Sequence, residues 1–111
     1  MVTNAAHRDD AVFAALADGS RRRILTLLAR RPAPVHELTA AFRVSRPAIS
    51  KHLRVLREAG LVRAERQGTE NIYVLETERL RLVENWLGQF WTVRLSDLKT
   101  LAEGSWRGRK A

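Results

Sequence analysis

Apolar residues recur at spacings of three and four through the first half of the chain. That is the period of a helix with one buried face. Phe13 and Leu16 lie three apart in a short apolar run, 11–17. Ile24, Leu27 and Leu28 form a stripe within 21–31, which Ser20 is placed to cap. Val35, Leu38 and Phe42 mark a third run, and Ile49, Leu53 and Leu56 a fourth. Breakers separate them: Asp18-Gly19-Ser20, then Pro32-Ala33-Pro34 as a stiff connection, then Arg43-Val44 as a tight turn.

The fourth run has the clearest ends, and the pattern predicts a helix over 45–59. Ser45 can accept a bond from an unpaired N–H of the first turn. Pro47 falls in that turn, where a missing N–H costs little. Gly60 sits just past the last periodic residue, where a left-handed cap is cheap for glycine. The face opposite Ile49, Leu53 and Leu56 carries Arg46, Pro47, Ser50, Lys51, Arg54 and Arg57, with no acid before Glu58. A helix with one buried face and one basic face suggests reading of the DNA major groove.

After Gly60 the period changes to two. Val62-Arg63-Ala64-Glu65-Arg66 alternates, Gln67-Gly68-Thr69 is a turn signal, and Asn71-Ile72-Tyr73-Val74-Leu75 is β-branched and aromatic. The predicted hairpin, 62–75, follows the basic helix as a wing. Arg63, Arg66, Gln67, Thr69 and Asn71 on it can bond phosphate or minor-groove edges. A short helix, a tight turn, a capped helix and a hairpin make a mainly α winged helix-turn-helix fold.

The last pattern predicts one long C-terminal helix, capped by Thr77 and ending near 103. Leu80, Val83, Leu87, Phe90, Arg94 and Leu98 share a row, with Trp86 and Trp91 beside it. The arc is wider than so small a core needs. The surplus predicts a homodimer through Phe13, Leu80, Val83, Trp86, Leu87, Phe90, Trp91, Arg94 and Leu98. Residues 1–10 are polar and expected to be a flexible N-terminus, 11–103 form the DNA-binding and dimerisation domain, and 104–111 form a basic flexible tail.

Composition sharpens the partner. The 111 residues suit one domain, and 45% hydrophobic content is enough for one core. Net charge is +8 and the sequence pI about 11.4, as in nucleic-acid-binding domains. Between Arg43 and Arg66 stand seven basic residues against two acids, more than half of the chain's excess. The three arginines Arg21, Arg22 and Arg23 read as a solvated first turn, although cations there oppose the helix dipole. There is no cysteine, which excludes disulfides and thiolate chemistry. No signal peptide and no run of about 18 apolar residues is visible, so the expectation is a cytoplasmic protein with no membrane partner. Ser50 and His52 are two apart on a helix and do not face each other, and no other nucleophile–base pair or phosphate-cradling loop suggests an enzyme.

The residues 16–25 (Leu-Ala-Asp-Gly-Ser-Arg-Arg-Arg-Ile-Leu), Glu37-Leu38, the run 45–62 and Arg66-Gln67-Gly68 ahead of Tyr73 resemble the ArsR-type winged helix-turn-helix transcriptional regulators of bacteria. The resemblance covers about 10–102. It implies a homodimeric repressor that sets two recognition helices into successive major grooves of a palindromic operator. It also implies base contacts at the start of the recognition helix, here Ser45, Arg46, Pro47, Ser50 and Lys51, with His52 and Arg54 nearer the backbone. Arg46 is the best candidate for direct readout, since arginine can bond guanine O6 and N7 together.

Metal-sensing members of that family carry a cysteine pair in the third helix, or Asp and His ligands in the last. Here the third helix opens Val35-His36-Glu37-Leu38-Thr39, and the three histidines are His7, His36 and His52, none in the last helix. The chain therefore looks closer to the metal-independent members with aromatic-rich terminal helices. No metal and no cofactor is expected, and the sequence assigns no small-molecule inducer. The competing function is a winged-helix module that binds protein. That reading calls for an apolar or mixed-charge recognition face, against which Arg46, Lys51, Arg54 and Arg57 stand.

Overall fold

The computed structural model describes the backbone of residues 4–109 and the side-chain surroundings of 7–91 and 99–102. The elements run α1 (Asn4–Leu16), α2 (Gly19–Arg30), β1 (Ala33–Pro34), α3 (Val35–Phe42), α4 (Arg46–Glu58), β2 (Val62–Gln67), β3 (Glu70–Leu75) and α5 (Leu80–Arg109). The chain divides into two compact units after Leu80, so α5 is described by itself. The mainly helical winged helix-turn-helix expected from the sequence is the fold observed.

Helix α1 begins well before the expected position 11. The turn His7 to Asp10 is exposed and polar, so no apolar period marks it. Its buried residues are Val12 and Ala15, while Phe13 and Leu16 are only half-buried. Five of the seven residues in 11–17 are alanine or valine-sized, so periodicity alone selects no face; small Ala15 lets neighbouring backbone approach. In α2 the buried stripe is Ile24, Leu25 and Leu28, with Leu27 half-buried.

The cap of α2 is Asp18, not Ser20. Its extended backbone (φ −92°, ψ 127°) aims the carboxylate at the first turn, where it accepts from Ser20 N–H at 2.8 Å and Arg21 N–H at 3.1 Å. The arginines have partners as well. Arg21 donates through Nε to the Ala15 carbonyl (2.7 Å) and through Nη2 to that of Ala14 (3.2 Å). Arg22 donates through Nη1 to the Leu16 carbonyl at 2.7 Å. These carbonyls lie in the last turn of α1, where the usual i+4 N–H partners run out; that of Ala14 also accepts from Ala17 N–H at 3.2 Å. Cations that are unfavourable at the start of α2 are thus favourable at the end of α1. Arg23 lies over the Phe42 ring, 5.0 Å from its centroid, and links α2 to α3.

Residues 33–34, expected as a connection, form a short edge strand. Ala33 pairs with Tyr73 and Pro34 with Ile72, which gives an antiparallel sheet in the order β1-β3-β2. Two residues are too few to show alternation, and proline is tolerated on an edge. The β2–β3 register, from Val62↔Leu75 to Gln67↔Glu70, leaves Gly68-Thr69 as a two-residue loop. Gly68 takes a positive φ of 62° at the first loop position. Beneath the sheet, Ile24, Leu38, Ile49, Leu53, Leu56 and Leu61 are fully buried and form the centre of the core.

Helix α5 starts at Leu80, three residues after Thr77, whose carbonyl accepts from Leu80 N–H at 3.0 Å. It continues to Arg109, past the expected end near 103, because backbone bonding needs no apolar period to persist. Trp86 and Phe90, one turn apart, meet edge to face with centroids 5.0 Å apart.

Candidate nucleic-acid interface

The surface best formed to meet a nucleic acid is built on α4. Its entry is set by α3, which ends on Arg43 in the left-handed region (φ 54°), with Arg43 N–H donating to the Thr39 carbonyl at 3.0 Å. The chain turns through Val44 to Ser45, whose Oγ accepts from Ala48 N–H at 3.3 Å. Arg46 and Pro47 occupy the first turn, which holds no acid. The exit is equally defined. Gly60 (φ 78°) donates to the Arg57 carbonyl at 2.9 Å, and Leu61 N–H to the Leu56 carbonyl at 2.9 Å. This pair of bonds is the glycine-terminated C-cap that the sequence signals.

Between these ends the two faces separate as patterned. Ile49, Leu53 and Leu56 are at most 1% exposed, and Arg46, Pro47, Ser50, Lys51, Arg54 and Arg57 lie on the exposed side. The positive end of the helix dipole adds to Arg46 and Lys51, so the start of α4 favours anions.

His52 differs from its neighbours. It is half-buried, and its Nδ1 lies 3.5 Å from Arg21 Nη1. The same Nη1 is 3.9 Å from Asp18 Oδ2. The Arg21 N–H bond holds the Asp18 carboxyl below the usual carboxylate range; desolvation opposes it, and the Ser20 N–H and the Arg21 charge add to the lowering. Arg21 and Asp18 were not among the site residues legible in the sequence. The signal was there: a cationic first turn is unfavourable unless something accepts from it.

On the wing, Thr69, Asn71 and Gln67 are exposed near the tip, and Arg66 Nε donates to the Gly68 carbonyl at 3.1 Å. Arg63 is placed otherwise. Its guanidinium donates to Glu65 Oε1 through Nε (3.0 Å) and Nη2 (2.6 Å), and to Glu76 Oε1 through Nη1 (2.8 Å). The Glu76 and Glu65 hydrogen bonds raise its pKa further above the arginine range. Arg63 is therefore gathered with two acids rather than with the basic face of α4. His36 Nδ1 lies 3.5 Å from Glu70 Oε1, which ties α3 to the wing.

On α5, Trp86, Phe90 and Trp91 are about half exposed, and Leu80, Val83 and Leu87 are less so. Phe13, on α1, is half-buried. The side chains of Arg94 and Leu98 lie outside the described residues. Among the described residues no group of three or more His, Cys, Asp or Glu side chains could hold a metal ion, and no helix is long and apolar enough to cross a membrane.

The sequence pattern of the bacterial regulatory proteins of the arsR family matches residues 18–64, which run from the Asp18 cap into β2. The chain is 42% identical over 94 residues to an HTH-type transcriptional regulator of Mycobacterium tuberculosis, covering 85% of this chain and 88% of that one. It is 35% identical over 79 residues to the transcriptional repressor SdpR of Bacillus subtilis, covering 71% and 88%. It also resembles the homodimeric winged helix-turn-helix DNA-binding domain of a possible ArsR-family transcriptional regulator from Mycobacterium bovis. There the TM-score is 0.65 at 32% identity, covering 78% of this chain and 79% of that one.

Proposed function

The chain belongs to the arsR family of bacterial regulatory proteins, DNA-binding transcriptional regulators rather than enzymes, and we propose that it is a repressor that binds a palindromic operator as a homodimer. The observation that carries this reading is the exposed basic face of α4 opposite a fully buried row. Arg46 reads guanine, with Ser45, Pro47, Ser50 and Lys51 beside it at the start of the helix. His52 and Arg54 meet the phosphate backbone. Arg66, Gln67, Thr69 and Asn71 of the wing reach phosphate or the minor groove. Arg63 contacts DNA only by leaving Glu65 and Glu76, so its share is the smallest.

The second copy joins through α5. The exposure of Trp86, Phe90 and Trp91 supports this, as does the homodimeric state of the similar M. bovis domain. Phe13, Leu80, Val83, Leu87, Arg94 and Leu98 complete the proposed interface. The regulator works without a bound metal, a reading that rests on the sequence, which has no cysteine and no histidine in the last helix.

Selection of bound duplexes from random DNA tests the proposal. The expected product is an inverted repeat with half-sites about one helical turn, or roughly 10 base pairs, apart. Recovery of no common sequence, with no retention on heparin at low salt, would replace it with a protein-binding module.

A further inference from the structure

Arg21 is only 17% exposed, and its guanidinium is fixed from one side by the Ala14 and Ala15 carbonyls at the end of α1. Its remaining Nη1 faces His52 Nδ1 at 3.5 Å. A guanidinium offers donors only. A ring nitrogen that faces it is therefore the lone-pair nitrogen, because an N–H there would set donor against donor. The proton of the neutral imidazole then belongs on Nε2. Asp18, beside this pair, accepts both backbone N–H bonds on Oδ1, and its Oδ2 lies 3.9 Å from the same Nη1, beyond hydrogen-bond reach. Since Arg21 is anchored on α1, the histidine adapts to the arginine. Among the described residues Nε2 meets no protein acceptor, and its neighbours Lys51 and Arg54 are exposed on the basic face.

We propose that Arg21 is a positioning residue for DNA recognition: it holds His52 as the Nε2–H tautomer, so that α4 presents one fixed neutral donor to an operator phosphate. The proposal rests on the DNA reading of α4 given above. It gives the α1–α2 junction a part in recognition although it need not touch DNA.

The test uses the whole chain labelled with 15N-histidine. Two-bond nitrogen–proton correlation spectra of the free protein should show His52 as the Nε2–H form, and Arg21→Met should yield a mixture of tautomers. Titration with the selected operator duplex should show Arg21→Met weakening binding about three- to tenfold, the size of one hydrogen bond. In a His52→Gln background, whose amide NH2 replaces Nε2–H without tautomeric choice, the same change should shift affinity less than about twofold. Equal weakening in both backgrounds would make Arg21 merely structural and overturn the proposal. Arg21→Lys, which keeps the charge but not the fork, should fall between; it serves the same comparison should the methionine variant not fold. An Nδ1–H ring in protein that binds operator overturns the Arg21 assignment alone. An Nε2–H ring in protein that binds no DNA overturns the reading of α4 and the phosphate role with it.

Discussion

The N–H of Leu61 donates to the carbonyl of Leu56 at 2.9 Å, and both side chains are fully buried, so α4 ends in a closed loop around Gly60. Gly60 holds φ 78°, and a Cβ there would lie 2.5 Å from Arg79 Nε and 2.6 Å from its Cδ. Gly60→Ala should cost about 1–2 kcal/mol for the left-handed backbone, plus displacement of Arg79. Thermal unfolding checks this, with a Tm loss of several degrees expected. Gly68→Ala, at φ 62° with nothing within 4 Å of the added Cβ, should lose only the backbone part.

Asp18 caps α2 with its pKa held below the ordinary value. A depressed acid stabilises the fold above its unfolded pKa, about 3.9. That stability is lost as pH falls through the lower folded value. Asp18→Asn keeps a capping oxygen but removes the titration. The variant's Tm should therefore fall less steeply with pH than wild type below about pH 4. Parallel Tm curves for the two proteins would refute the role.

Arg63 and Arg66 stand three apart on β2 yet should differ in salt dependence. Arg63 is compensated by Glu65 and Glu76, whereas Arg66, among the described residues, donates to a backbone carbonyl and meets no acid. Arg66→Ala should reduce the slope of log affinity against log salt by about 0.9, the value of one phosphate contact. Arg63→Ala should leave the slope nearly unchanged. Binding isotherms at several salt concentrations decide between them.

Arg46→Ala should cost on the order of 1–3 kcal/mol of operator binding and relax one operator position. Competition between the selected duplex and single-base variants reads this. A uniform loss across all variants would assign Arg46 to phosphate instead.

Trp91→Glu should convert the proposed dimer to monomer. A charge buried at an apolar interface has no partner to offset its desolvation. Sedimentation equilibrium reads the mass, and operator affinity should fall with it, because two half-sites are no longer held together.

Much of α4 was legible in the chain because its determinants are local. Ser45, Pro47, Gly60 and the Ile49-Leu53-Leu56 row all act within the helix they define, through backbone groups at most a few residues away. The hairpin was legible for the same reason, its turn being Gly68-Thr69 between alternating strands. The roles of Arg21 and Arg22 were not legible, because the carbonyls they satisfy belong to another helix. Edge strand β1 was invisible until β3 lay beside it, since two residues have no period of their own. The buried face of α1 was settled by packing, because a run of small apolar residues leaves several faces almost equally hydrophobic. The sequence by itself determined which helix carries the basic face and where that helix starts and stops. Only the tertiary structure decided which cations remain free to meet DNA, since compensation by Glu65, Glu76 or a helix end depends on distances that folding alone creates.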